Sequence, residues 1–83
     1  MRFIAEVDIM PLENLLDPQG KAVLNVLHNL GYSQVEKLRM GKHVKLVIEA
    51  STKKEAEEKV DEICKKVLIN PVVEQYRYTV KED

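Results

Sequence analysis

Gln34-Val35-Glu36-Lys37-Leu38-Arg39-Met40-Gly41-Lys42-His43-Val44-Lys45-Leu46-Val47-Ile48-Glu49-Ala50 decides the architecture. Two runs in which apolar and polar residues alternate, 34–40 and 43–50, flank Gly41, and this pattern predicts two strands joined as a hairpin. A two-residue turn pairing Met40 with His43 would set Leu38 opposite Lys45 and mix the faces. An odd-length loop or a bulge instead gathers Leu38, Met40, Val44, Leu46 and Ile48 on one side, leaving Lys37, Arg39, Lys45, Val47 and Glu49 on the other.

Working outward, residues 2–10 alternate as well. Phe3, Ala5, Val7 and Ile9 share one face and Arg2, Glu6 and Asp8 the other, as in a half-buried strand that Pro11 and Asn14 end. A helix is predicted from Pro18 to about Leu30, with Ala22, Val23, Val26, Leu27 and Leu30 as its apolar stripe and Gly31 closing it. Thr52-Lys53-Lys54-Glu55 has the spacing of a capping box, with Ser51 as a rival cap, and opens a second helix. Ala56, Val60, Ile63, Cys64, Val67 and Leu68 form its buried stripe. Asn70-Pro71 closes it, and residues 72–81 form a last strand. The order strand, helix, strand, strand, helix, strand predicts an α+β, ferredoxin-like βαββαβ domain spanning 1–83, a four-stranded antiparallel sheet with two helices on one face.

The opening of the first helix, Leu16-Asp17-Pro18-Gln19-Gly20-Lys21-Ala22, has specific local chemistry. Asp17 suits an N-cap and Pro18 the first helical position. Gly20 fits less well, because glycine within a helix costs roughly 0.5–1 kcal/mol relative to alanine. Its presence suggests a close approach to that turn.

Composition narrows the class. The chain has 83 residues, 45% hydrophobic and 33% charged, with a net charge of −1. This balance fits one soluble domain and argues against a dedicated nucleic-acid binder, which carries a basic excess. No apolar run reaches the length of a membrane span and no signal peptide is evident, so a cytoplasmic location is expected. The single Cys64 excludes an intrachain disulfide and a multi-cysteine metal site.

Chemistry-bearing motifs are sparse. There is no phosphate-binding glycine loop, no histidine pair at ligand spacing and no CxxC. His28 and His43 have no carboxylate or nucleophile partner evident in sequence, and Cys64 falls on an apolar stripe. Catalytic, cofactor-binding and metal-binding residues are therefore expected to be absent. The Lys53–Lys66 charge run is explained by acid-first pairs four residues apart (Glu55 with Lys59, Asp61 with Lys65, Glu62 with Lys66). The basic cluster Lys37, Arg39, Lys42, His43 and Lys45 could meet an acidic surface or a phosphate. RNA is not expected, because the central strands lack exposed aromatic residues for stacking. Ile4, Met10 and Val47 lie on the open sheet face with no other place to be buried, which suggests self-association through that face.

Leu16-Asp17-Pro18-Gln19-Gly20-Lys21-Ala22, Leu30-Gly31-Tyr32, Arg39-Met40-Gly41-Lys42 and Asn70-Pro71-Val72-Val73-Glu74-Gln75-Tyr76 together resemble the PurS family, small subunits of phosphoribosylformylglycinamidine synthase. The resemblance runs in order over nearly the whole chain, with Asp8-Ile9-Met10-Pro11-Leu12-Glu13-Asn14 as its weakest part. It implies a non-catalytic adaptor in de novo purine synthesis. Such an adaptor forms a homodimer or higher oligomer and joins a large synthetase subunit to a glutaminase. It would bind no cofactor itself, ATP and Mg belonging to the synthetase. The matching exposed residues Asp17, Gln19, Gly20, Lys21, Arg39, Gly41 and Lys42 become the expected partner interface, and Tyr76, with Ile4, Met10 and Val47, a dimer or core position. Two alternatives share the strand order. An ACT-like regulatory domain would bind a small molecule, whereas an acylphosphatase would need an arginine and asparagine phosphate cradle, which is not evident after the first strand.

Overall fold

The computed structural model describes residues 1–83. The elements are β1 (Arg2–Pro11), α1 (Pro18–Asn29), β2 (Lys42–Glu49), α2 (Lys53–Ile63, widening into a π-type turn at Cys64–Leu68) and β3 (Glu74–Glu82). The sheet is antiparallel in the order β2-β1-β3. It has three strands, and this corrects the four-stranded expectation: residues 34–40 form no strand, and no hairpin turns at Gly41. Short hairpin turns require positive φ, and only Gly31 has it. The chain instead runs straight through Gly41 into β2.

The strands pair as their alternation dictates. Val7 stands between Val44 and Tyr78, and Ala5 between Leu46 and Val80. Phe3, Ala5, Val7 and Ile9 thus lie on one face, where they are buried with Ala50, Ala56, Val60, Cys64 and Val80. The core is the contact of this face with α2. Thr52 wins the capping position: its Oγ1 accepts from the Glu55 N–H at 3.1 Å, while the Glu55 carboxylate accepts from the Ser51 N–H at 3.3 Å.

The expectation of two helices on one face also needs correction. Only α2 lies against the sheet, touching β1 and β3. Helix α1 projects past the end of the sheet and packs along residues 35–41, giving the molecule a long axis of 51 Å. It ends in a Schellman motif, in which the Gly31 N–H bonds to the His28 carbonyl at 3.1 Å and the Tyr32 N–H to the Leu27 carbonyl at 3.0 Å. Gly31, at φ 99°, supplies the left-handed residue this motif needs.

Candidate functional site

The residues singled out at the start of α1 and around Gly41 meet at the base of this projecting arm. Asp17 caps α1, its Oδ1 accepting from the Gly20 N–H at 3.1 Å, and its Oδ2 accepts from the Met40 N–H at 2.7 Å. One carboxylate therefore starts the helix and holds the returning chain. These two N–H donors, Met40 first and Gly20 second, hold the Asp17 carboxyl below the usual aspartate range.

Arg39 faces the opposite way across the same junction. Its guanidinium donates to the carbonyls of Leu15 at 3.0 Å and Leu12 at 2.7 Å, in the connection between β1 and α1, and of Pro11 at 3.5 Å, the last residue of β1. A planar fork with five N–H donors can collect divergent carbonyls in this way. Both glycines sit in tight places. A Cβ on Gly20 would collide with the Asp17 carboxylate and come within 2.8 Å of the Leu38 carbonyl, and one on Gly41 would collide with Met10 Sδ and the Ile9 carbonyl. The close approach inferred at Gly20 is thus made by the chain itself.

Gln19 and Lys21 differ from these residues in being exposed on the first turn of α1. Lys21 borders an open hollow of about 350 Å³ with Leu16, Leu24 and Leu38. Gln19 borders another of about 400 Å³ with Gly41, Lys42 and Glu74. Lys42 Nζ lies 3.2 Å from Glu74 Oε2, tying the start of β2 to the start of β3. Glu74 was not among the expected site residues. Its other oxygen accepts from the Asn70 N–H at 2.9 Å, so the Asn70-Pro71 turn with an acid four residues after Asn70 was the available signal.

Ile4, Met10 and Val47 lie on the open face, with Ile4 directly opposite Val47. Tyr76 points to the other face, where its hydroxyl donates to Asp61 Oδ1, and this bond and partial burial push its pKa to about 12. His43 does have carboxylate partners, supplied by cross-strand register rather than by sequence proximity. Its Nδ1 is 2.7 Å from Asp8 Oδ1 and its Nε2 is 3.3 Å from Glu6 Oε1. Asp8 and then Glu6 raise the His43 pKa. The stabilisation from this cluster is therefore present below the unfolded pKa of about 6.5 and is lost as pH rises through the folded value. In an NMR titration His43 should have its midpoint above 6.5, and Asp8→Asn should lower it. A wild-type midpoint at or below 6.5 would contradict the contact. No three His, Cys, Asp or Glu side chains converge as a metal-ligand set.

The arrangement is a polar brace with outward-facing groups around it. The brace groups Asp17 and Arg39 are already paired within the chain. The chain matches the family model described as PurS, phosphoribosylformylglycinamidine (FGAM) synthase, over residues 4–82. It is 46% identical over 70 residues to the phosphoribosylformylglycinamidine synthase subunit PurS of Bacillus subtilis, covering 84% of this chain and 82% of that one. Its identity to the Archaeoglobus fulgidus subunit is 39% over 79 residues, covering 95% and 99%. Among solved structures, PurLQS from Thermotoga maritima contains a chain that superposes with a TM-score of 0.90 at 36% identity, covering 98% of this chain and 99% of that one. With its motifs, its three-stranded fold and this match over nearly its full length in agreement, the chain belongs to the PurS family of phosphoribosylformylglycinamidine synthase subunits.

Proposed function

We propose that residues 1–83 act as one non-catalytic domain of phosphoribosylformylglycinamidine synthase, in the cytoplasm, as a homodimer or higher oligomer. In this role the chain joins an ATP- and Mg-using synthetase subunit to a glutaminase subunit. The complex converts formylglycinamide ribonucleotide to formylglycinamidine ribonucleotide with ATP and glutamine-derived ammonia. Free ammonia protonates and escapes unless the two sites are sealed together, and an ordered adaptor at their junction limits that loss. The observation that carries this reading is the likeness of nearly the whole chain to one from PurLQS of Thermotoga maritima.

Asp17, Gln19, Gly20, Lys21, Arg39, Gly41 and Lys42 form the candidate contact. The first shape belongs to the brace: Asp17, Gly20, Arg39 and Gly41 fix the backbone that presents Gln19, Lys21 and Lys42. Ile4, Val47 and Met10 on the open face are candidates for association between copies. Lys21 is exposed and outside the hydrogen-bonded brace, so reversing its charge tests the interface without disturbing the fold. Lys21→Glu should reduce co-purification with the cognate synthetase and glutaminase by about tenfold or more while leaving the circular dichroism spectrum unchanged. Undiminished recovery of the complex would remove the α1 opening from the interface.

A further inference from the structure

The turn after α2 carries apolar side chains that its own folding does not use. In Asn70-Pro71-Val72-Val73-Glu74 the Asn70 carbonyl accepts from the Val73 N–H at 3.1 Å and the Glu74 N–H at 2.8 Å. The Asn70 side chain accepts from the Val72 N–H at 3.1 Å, and the Glu74 carboxylate from the Asn70 N–H at 2.9 Å. Every one of these bonds is made by the backbone, Asn70 or Glu74. The side chains of Val72 and Val73 are exposed by 77% and 40%, and that of Val67, in the preceding π-type turn, by 75%. Turns ordinarily place glycine, proline, asparagine, aspartate or serine at such positions. Local chemistry therefore leaves two exposed β-branched residues at this tip unexplained.

The turn is bonded on two sides to the frame that presents Gln19, Lys21 and Lys42. The Val73 carbonyl accepts from the Leu12 N–H at 2.9 Å, and the Leu12 carbonyl accepts from Arg39 at 2.7 Å. On the other side Glu74 reaches Lys42 at 3.2 Å and borders the hollow shared with Gln19. Val72 and Val73 are thus fixed in position relative to the candidate contact. Three valine side chains fall well short of the about 800 Å² per partner that a stable interface buries. A protein that covers them must extend over the surface to which they are bonded. A second copy offers no suitable recess. Its hollows are edged by charged pairs, Asp8 and Arg77, Asp17 and Lys42, or Lys21 and Glu36, whose desolvation opposes entry of an apolar tip.

We infer that Val72 and Val73 form an apolar plug, seated in an aliphatic recess of the larger subunit that docks on Gln19, Lys21 and Lys42. The inference rests on the adaptor reading and adds an apolar anchor to its polar contact. The turn is shaped before binding, and valine has little side-chain freedom to lose, so little ordering opposes the contact.

The dissociation constant of the full chain for the cognate synthetase and glutaminase tests the plug. Val72→Asp should raise it at least about tenfold, chiefly through faster release. The oligomeric mass and thermal midpoint of the chain alone should stay unchanged, because the Val72 side chain takes no part in the turn. Val72→Thr keeps the branched shape and should still weaken binding at least about threefold, since a hydroxyl would enter the recess. Lys81→Asp changes the charge more, at the opposite end of the sheet, and should bind as the unmodified chain does. Binding by Val72→Thr equal to that of the unmodified chain overturns the plug, as does a loss in Lys81→Asp as large as in Val72→Asp. A changed oligomeric mass in Val72→Asp would put the valines between copies and overturn the assignment to a larger subunit. An unmodified chain that joins neither larger subunit refutes the adaptor and the plug with it. One that joins them no more tightly than Val72→Asp does refutes the plug alone.

Discussion

Gly20→Ala should destabilise the protein by about 1–3 kcal/mol, although glycine to alanine within a helix ordinarily stabilises by roughly 0.5–1 kcal/mol. The sign reverses because of what surrounds this position. The added Cβ would collide with the Asp17 carboxylate, and it meets the Leu38 backbone carbonyl at 2.8 Å. Neither can swing aside freely, since Asp17 is held by the N–H groups of Gly20 and Met40, and Leu38 precedes the anchored Arg39. Relief requires the returning segment to move off α1, breaking the bond from Met40 to Asp17. Thermal unfolding at fixed protein concentration checks this, because association would otherwise shift the midpoint. A midpoint equal to or above that of the unmodified chain would contradict the packing.

Arg39→Ala should cost roughly 2–3 kcal/mol, because a charged donor is removed from three backbone carbonyls, of which only that of Leu12 also accepts a turn hydrogen bond, from the Leu15 N–H. Two of its bonds are short, at 3.0 Å to Leu15 and 2.7 Å to Leu12, and the third, to Pro11, is at 3.5 Å. Arg39→Lys should recover only part of the loss, since a single ammonium cannot span carbonyls that the guanidinium reaches from two nitrogens. Denaturant unfolding of both variants measures the difference. Equal stability of Arg39→Lys and the unmodified chain would show that charge alone, and not the fork, holds the connection. Arg39→Glu would consequently disturb the fold together with any partner contact, which makes Lys21→Glu the cleaner interface probe.

These two positions also show how far the sequence can be read. Gly20 was visible as an anomaly, a glycine inside a helix, but its cause is the Leu38 carbonyl, which belongs to a segment distant in sequence. Arg39 was visible as a charged residue in a recurring motif, whereas its partners are three backbone carbonyls that carry no side-chain signal. The elements with strong local chemistry were legible. β1 alternates, α2 has its Thr52 cap, and α1 has Asp17-Pro18 at one end and Gly31 at the other.

The four-stranded sheet failed for a definable reason. Alternation in 34–40 reports which side chains share a face, and it does so equally whether the segment pairs or merely runs extended. What decides pairing is the turn, and at Gly41 the chain continues straight because Asp17 and Arg39 anchor it to the base of α1. Likewise an apolar stripe on α1 predicts a cover for that helix without saying whose sheet provides it. His43 and its carboxylates were missed because Asp8 and His43 become neighbours only through the register of β1 and β2.

Reconstitution of the cognate synthetase and glutaminase, with and without this chain, tests the adaptor directly. Formation of formylglycinamidine ribonucleotide should be measured with glutamine and, separately, with an ammonium salt as the nitrogen source. Omitting the chain should abolish the glutamine-driven reaction and spare the ammonium-driven one, because only the passage of ammonia between sites depends on assembly. An unchanged glutamine-driven rate in its absence, or turnover by the chain alone, would contradict that role.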